Sequence, residues 1–341
     1  MMNSQRLLIW LPSPLGDAIM ATPALRAFRS NLPDTSITFL APAFTRQILS
    51  PSSFCDDWLE MTGSFTGNLK QLKAGAFDTA ILLKNSFSSA LTVRLAGIGR
   101  RIGYARDMRS VLLTDRISPV RDENGRFKPL PMIDYYLGIA SFLEMTSDNL
   151  KTELSFTADQ QEAMLAKLPQ LKDAARPLVI LVPGGAFGPS KLWPTERYAE
   201  LADRLNQTCG ATVLISVAPI PKEIEIAEAI RSKAKTKIIN LGLTPLNGGQ
   251  LKALFGSADL VVTNDTGPRH IAIALGKPVV SLFGPNNPQW TQSGHNREIQ
   301  ITGKAPCVPC DKPTCEQKQH LCMESITVDS VFDAAMSFLK S

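Results

Sequence analysis

The sequence predicts an α/β protein of two similar halves, each on a parallel sheet, with a cleft between them. Three observations carry that expectation. At 341 residues the chain exceeds one typical compact core, so two domains are the natural reading. Short apolar runs alternate with amphipathic helical stretches, the pattern of βαβ units. The series runs once from residue 6 and begins again at residue 177, after a polar, acid-rich passage over 146–161.

The first apolar run, 6–11, is a strand. Behind it, 16–29 reads as one helix with Ile19, Pro23, Leu25 and Phe28 on its inner side. Strand-like runs return at 36–40 and 79–83, with helical segments between and after them. A basic, glycine-containing stretch spans 96–121, a charged loop follows at 121–128, and a helix covers 131–143. After the acid-rich passage and one more helix, strands are expected at 177–182, 211–217, 237–241, 259–263 and 278–283. Trp193 and Pro194 open a helix over 195–205, the Trp packing into the core. Asn264 to Gly267 form a tight polar turn before a helix that Gly276 ends. The last helix, 327–339, has a Thr327 cap, with Val331, Phe332, Ala335, Met336 and Leu339 at helical spacing. The expected division is 1–160 for the first lobe, 161–325 for the second, and 326–341 for a C-terminal helix packing back on the first.

Apolar content of 44% and charged content of 20% fit a soluble globular protein, and a net charge of +5 is mild. No apolar run approaches the ~18 residues of a membrane span. The run after Arg6 is ended by Pro12, Pro14 and Asp17, too early for a signal peptide. The chain therefore reads as cytoplasmic, and any membrane association as peripheral. Of six cysteines, Cys55 and Cys209 stand alone, while Cys307, Cys310, Cys315 and Cys322 form C-x2-C-x4-C-x6-C. Four thiols this close suit tetrahedral zinc, with His320 as a competing ligand, but only the first C-x2-C is a common zinc spacing. A reducing compartment would leave them as free loop thiols. Neither reading makes the cluster a catalytic centre, and no metal is assigned to the site.

In open parallel sheets, ligands sit beyond the carboxyl ends of the strands. Three polar loops fall at such ends: Pro12 to Asp17, Pro183 to Pro194, and Asn264 to His270. The third offers the N–H groups of a helix start, where the dipole favours an anion, and small Thr266 and Gly267 let phosphate approach. On a plainer reading Asp265 caps that helix. The second loop carries Gly184, Gly185 and Gly188, then Ser190 and Lys191. It is neither G-x-G-x-x-G nor a Walker loop, yet its N–H donors, hydroxyl and single cation suit a diphosphate. The alternative is a solvated loop lysine. In the first loop, Asp17 is either a helix-start residue or a general base facing Lys191 and Asp265 across the cleft.

Arg94, Arg100, Arg101, Arg106 and Arg109 fall within sixteen residues, opposed only by Asp107. Such runs are commonly solvated faces. Here Gly97, Gly99 and Gly103, interleaved with Leu95, Ile98, Ile102 and Tyr104, suggest a structured segment that recognises phosphate or carboxylate. Nucleic acid is disfavoured by the modest charge and the lack of a known module.

Gly16-Asp17 with Thr22-Pro23-Ala-Leu-Arg26, the loop 183–194, Asn264-Asp-Thr-Gly-Pro-Arg-His270 and Phe283-Gly-Pro285 together resemble one enzyme family. It is the ADP-heptose:lipopolysaccharide heptosyltransferases, glycosyltransferase family 9, and within it the heptosyltransferase II subgroup. Asn85-Ser86, Ala96-Gly-Ile98 and Arg101-Ile-Gly-Tyr104 are similar to that family's acceptor-side pattern, and the cysteine loop resembles one found in many members. The resemblance covers nearly the whole chain in the right order.

It implies a GT-B fold: two Rossmann-like lobes, the acceptor in the first and the nucleotide-sugar in the second. It also implies inverting transfer of heptose from ADP-heptose to the anionic lipopolysaccharide inner core, without metal or other cofactor. Asp17 would then take the acceptor hydroxyl's proton, and Lys191 would neutralise the departing diphosphate. Gly184, Gly185, Ser190, Thr266 and Gly267 would hold the nucleotide-sugar, with Asp265 and His270 shaping its pocket. Asn85, Ser86, Arg101 and Arg106 would meet the acceptor. Because the acceptor's acyl chains stay in the membrane, the basic segment predicts salt-sensitive peripheral association with the inner membrane's cytoplasmic face. Leu192 departs from the pattern, since a basic residue often follows the lysine, and this removes one phosphate contact. Two readings stand beside this one: a related GT-B transferase with another nucleotide-sugar or acceptor, and a two-lobed ligand-binding protein without chemistry.

Overall fold

The computed structural model describes residues 4–340, which divide between Thr152 and Glu153 into two compact units. The first opens with β1 (Arg6–Trp10), α1 (Leu15–Met20), α2 (Thr22–Asn31), β2 (Ser36–Ala41), α3 (Ala43–Leu49) and β3 (Asp57–Glu60). It continues through α4 (Phe65–Gly75), β4 (Thr79–Leu82), α5 (Phe87–Leu95), β5 (Arg100–Tyr104), β6 (Asp115–Ile117) and α6 (Met132–Phe142). Its sheet runs β3-β2-β1-β4-β5-β6, with every pair parallel. β1 and β4 lie at the centre because their near-continuous apolar sequences tolerate cover on both faces. Leu8, Trp10 and Leu82 share one buried cluster with Ala90 and Val93 of α5.

The second unit holds α7 (Ala158–Lys167), β7 (Leu178–Val182), α8 (Thr195–Cys209), β8 (Thr212–Ile215), α9 (Pro221–Lys233) and β9 (Ile238–Asn240). Then come α10 (Gly248–Ser257), β10 (Leu260–Asn264), α11 (Gly267–Ala274), β11 (Val279–Phe283), β12 (Glu298–Thr302), α12 (Leu321–Glu324) and α13 (Val328–Leu339). The strand order is β12-β11-β10-β7-β8-β9, again all parallel. Counted from its own first strand, this sheet has the same doubly wound order as the first. Winding reverses between β1 and β4 in one unit and between β7 and β10 in the other, the crevices where such sheets bind ligands.

Several expectations shift. The helix expected over 16–29 is two helices meeting at Ala21. Pro23 has no N–H for the carbonyl of Ile19, and the Thr22 hydroxyl donates to that carbonyl instead, at 2.8 Å. Strands β3, β6 and β12 carry no continuous apolar run, since they are short or half-exposed edge positions that need none. The division falls at 152/153 rather than 160/161, because Leu154 already donates to the carbonyl of Ala274 at 3.0 Å, inside the second unit. The C-terminal helix, expected to pack back on the first lobe, buries Val331, Ala335 and Met336 in the second unit's core with Trp193 and Tyr198. Trp193 reaches further, donating from Nε1 to the carbonyl of Ile326 at 2.9 Å. Among the described residues, no helix is long and apolar enough to cross a membrane.

Candidate functional site

At the second unit's winding reversal, the loops after β7 and β10 are joined by Asn264. Its Nδ2 donates to the carbonyls of Pro183 at 2.8 Å and Gly184 at 3.4 Å, and its Oδ1 accepts from the Tyr198 hydroxyl at 3.1 Å. The glycine loop is braced from the other side by Glu223. One carboxylate oxygen accepts from Gly185 N–H at 3.2 Å and the other from Ala218 N–H at 2.8 Å. A Cβ on Gly184 would lie 2.3 Å from that carboxylate, so a larger residue would have to displace the Glu223 brace.

Asp265 is the hub of the charged groups here. Lys191 Nζ donates to its main-chain carbonyl at 2.8 Å and to Oδ2 at 3.2 Å, with Phe187 beneath the ammonium at 4.7 Å. Oδ1 accepts from Arg269 at 3.2 Å and from the Thr291 hydroxyl at 3.1 Å. Arg269, fully buried, makes a bidentate pair with Glu298 at 2.7 and 3.1 Å, and Ser281 donates to the same carboxylate. Burial pushes the Asp265 carboxyl up, but Lys191 and Arg269 outweigh it and hold the group below its ordinary value. For His270, burial and then the Arg269 charge push the pKa down to about 3, so the ring is neutral in the fold.

Thr266 precedes α11 in extended conformation and its side chain does not cap the helix. The N-terminus of α11 therefore keeps its dipole and main-chain donors near Gly185, where an added Cβ would lie 3.8 Å from the Thr266 side chain. Lys191, Asp265, Thr266, Gly267, Gly184 and Gly185 thus share one crevice. Ser190 faces elsewhere: it is buried, and its hydroxyl donates to the carbonyl of Lys312 at 2.6 Å. The crevice unites an anion-accepting backbone with a cation held by a fixed counter-charge. That combination is chemically suited to an anionic group.

In the first unit, Asp17 sits in the first turn of α1, after β1. Burial and then the Asp17 charge raise the Tyr136 hydroxyl well above its ordinary value, which places that carboxylate beside α6. Across the reversal, after β4, Lys84 Nζ donates to the Ser13 hydroxyl at 2.9 Å. Asn85 follows. Its Oδ1 accepts from Arg109 at 2.7 Å and from the Tyr135 hydroxyl at 3.2 Å, leaving the amide donors directed away from that pair. Ser86 caps α5, accepting from Ser89 N–H at 3.1 Å.

The basic segment does not act as one face. Arg109 is fully buried and also donates to the carbonyls of Tyr104 at 2.9 Å and Lys84 at 2.5 Å. Arg101 donates to the carbonyls of Ile98, Gly99 and Leu112 at 2.7–2.8 Å, and Arg100 pairs with Asp115 at 2.7 Å. Arg106 is half-exposed, stacks on Phe127 at 4.5 Å and bonds to Asp107.

Residues assigned no individual role from sequence prove central, namely Asn264, Glu223, Arg269 and Glu298, while Arg109, read as part of a phosphate- or carboxylate-recognising segment, is a buried internal fastener. Arg269 and Asn264 lay inside the quoted turn motif, and only distance in the chain hid their partners. The four clustered cysteines are free thiols, Cys322 buried and Cys307 exposed. Among the described residues no group of three or more His, Cys, Asp or Glu is gathered to hold a metal ion.

The chain as a whole resembles known proteins. The pattern of "Glycosyltransferase family 9 (heptosyltransferase)" matches residues 68–321. Lipopolysaccharide heptosyltransferase 2 of Escherichia coli (strain K12) is 31% identical over 302 residues, covering 84% of each chain. Lipooligosaccharide heptosyltransferase 2 of Haemophilus ducreyi is 32% identical, covering 84% of this chain and 85% of its own. The solved structure of E. coli ADP-heptose LPS heptosyltransferase II superposes with a TM-score of 0.80 at 27% identity, covering 98% of both chains. The two doubly wound sheets are thus the GT-B architecture anticipated from sequence.

Proposed function

Since the chain belongs to glycosyltransferase family 9, the heptosyltransferases, we propose that it transfers a heptose from ADP-heptose to the lipopolysaccharide inner core, as a heptosyltransferase II does. The observation that carries the reading is the crevice between β7 and β10. There Lys191 and the start of α11 converge where a diphosphate would rest.

The proposed mechanism uses the residues as follows. Asp17 removes the proton from the acceptor hydroxyl as that oxygen attacks the anomeric carbon from the face opposite the leaving group. The glycosidic bond forms as the bond to the diphosphate breaks, and configuration inverts. Lys191 and the N–H groups at Thr266 and Gly267 take up the negative charge gathering on the diphosphate. Gly184 and Gly185 let it approach the main chain, and Asp265 holds the ammonium in place. Neutral His270 shapes the wall beside Asp265, and Ser190, turned away from the crevice, holds the turn that carries Lys191. Charge stabilisation of this kind is worth about 10²–10³ in rate, and positioned proton transfer about 10²–10⁴.

On the acceptor side, Asn85 presents its amide donors and Arg106 its guanidinium to the anionic core. Ser86 and Arg101 hold the loops that carry them. The arginines of the segment that stay accessible, exposed Arg94 and half-exposed Arg106, draw the enzyme to the cytoplasmic face of the inner membrane as a peripheral protein. Flotation with anionic vesicles tests this: release as salt rises is expected, and binding indifferent to salt would refute it.

The test of the reaction follows transfer from ADP-heptose to a heptosylated inner-core acceptor in chelator-containing buffer, beside Asp17→Ala. Transfer by the wild type, lost in the variant with donor binding kept, is expected. Failure of the wild type to bind ADP-heptose would overturn the donor assignment.

A further inference from the structure

The cysteine-bearing loop, 303–320, is absorbed by none of the chemistry above, yet it grips the segment that presents Lys191. Three contacts meet at Ser190. Its N–H donates to the carbonyl of Pro313 at 3.1 Å, its hydroxyl donates to the carbonyl of Lys312 at 2.6 Å, and its carbonyl lies 2.6 Å from His320 Nε2. A carbonyl can only accept, so His320 Nε2 carries the hydrogen. Gly188, at the start of the same turn, has φ +152°, and a Cβ there would lie 2.3 Å from the Pro313 carbonyl oxygen. The loop is itself fastened to the sheet. Gly303 N–H donates to Phe283 at 2.8 Å, and the N–H groups of Cys310 and Asp311 both donate to the carbonyl of Pro285 at 2.9 Å.

The turn 189–191 is a single turn of 3-10 helix with no side-chain cap, so little in its own sequence fixes it. Lys191, the last residue of that turn, must nevertheless hold a flexible four-carbon chain over Phe187 and onto Asp265. We propose that the loop is the positioning device for Lys191, with His320 as its positioning residue. By fixing Ser190 at its N–H, its hydroxyl and its carbonyl, it sets where the Lys191 backbone begins and hence where the ammonium ends. This rests on the donor-site reading above only for the work that Lys191 does.

The test reads Lys191 directly. Full-length protein is treated briefly with sulfosuccinimidyl acetate, and acetylation at each lysine is quantified by mass spectrometry. Lys191 is almost wholly buried and Lys252 is fully buried, so both are protected at the start, and Lys252 on α10 reports global unfolding. In His320→Ala, Lys191 is expected to acetylate about fivefold faster with Lys252 unchanged. In His320→Gln, whose amide keeps an N–H for the Ser190 carbonyl, protection returns. Ser190→Ala, which loses only the bond to Lys312, is expected to fall between. Unchanged Lys191 labelling in His320→Ala, or labelling that rises in step with Lys252, overturns the proposal.

ADP titration gives a second readout. His320→Ala should weaken ADP about tenfold, and should add nothing in a Lys191→Met background, since one residue acts through the other. Additive losses overturn the proposal. A wild type that does not bind ADP counts against the donor reading instead, while the labelling still decides the role of His320.

Discussion

Lys191 donates to Asp265 twice, to its main-chain carbonyl at 2.8 Å and to its carboxylate at 3.2 Å. The double hold fixes a flexible ammonium without neutralising it, because Asp265 also answers to Arg269. On the proposed donor-site reading, a diphosphate arriving at α11 would meet a cation already oriented, so little reorganisation would be needed as charge develops. Lys191→Met is expected to lower kcat by about 10²–10³-fold with the acceptor KM unchanged, measured by steady-state release of ADP. A fall in the acceptor's affinity instead would place Lys191 outside the donor site.

Asp265→Ala should act differently. It leaves Lys191 and Arg269 both buried without their shared anion, and breaking such a pair costs about 3–5 kcal/mol. Urea unfolding should show that loss. Lys191→Met should lose less, because Arg269 and Thr291 still satisfy Oδ1 of Asp265. If the lysine variant proves the less stable of the two, Asp265 is not the hub.

How far this arrangement could be read from sequence follows from the physics of each part. The central strands were legible because burial on both faces demands continuous apolar runs, as in Leu178-Val-Ile-Leu-Val182. Edge strand β12, Glu298-Ile-Gln-Ile-Thr302, meets no such demand, and with it Glu298 went unseen as the partner of Arg269. Local chemistry showed the glycine loop and the turn before α11. It could not show Asn264 joining them, because Pro183 and Asn264 are 81 residues apart and only the strand order brings them together. The basic segment misled in the opposite sense. Its arginines look equivalent in sequence, yet the fold uses Arg101 and Arg109 as internal fasteners and leaves Arg106 half-exposed.

Asp17 offers a sharper test of chemistry than of stability. It lies in the first turn of α1, where a carboxylate is favoured by the dipole at about 0.3–1 kcal/mol. Asp17→Asn is nearly isosteric and should cost no more than that in a thermal melt. It should nevertheless lower kcat by about 10²–10⁴-fold, since the amide cannot accept the acceptor's proton. A variant with near-normal turnover would reduce Asp17 to a helix-start residue.

Arg109 predicts a coupling within the first unit. It satisfies the carbonyls of Tyr104 and Lys84 and orients the Asn85 amide from a fully buried position. Arg109→Met would leave these acceptors unpaired at about 1–3 kcal/mol apiece, so a clear drop in the urea midpoint is expected. Asn85→Ala is milder in stability and should raise the acceptor KM while leaving the donor KM alone. If both Michaelis constants rise together, Asn85 is a fold residue only.

His270 makes stability depend on pH in a range where carboxylates alone would not. Burial, then the Arg269 charge, lower its pKa from 6.5 to about 3 in the folded protein. Between those values the unfolded chain binds a proton that the folded one refuses. Stability should therefore be level with respect to this group above pH 6.5 and fall on acidification, by about 1.4 kcal/mol per pH unit, until the folded ring also protonates. Asp265 and Glu298 add to the loss only at lower pH. Burial raises both carboxyls, but the neighbouring cations hold them below their ordinary values. Their contribution is thus present above about pH 4 and disappears as pH falls through the folded values. Urea midpoints measured from about pH 7.5 down to about pH 4.5, roughly one unit above the free imidazole value to two below it, separate the two effects. His270→Asn should flatten the curve there while keeping the steep loss at the acid end. A wild-type curve already flat across this window would mean that the ring takes up its proton within the fold, and the neutral wall assigned to it beside Asp265 would have to be abandoned.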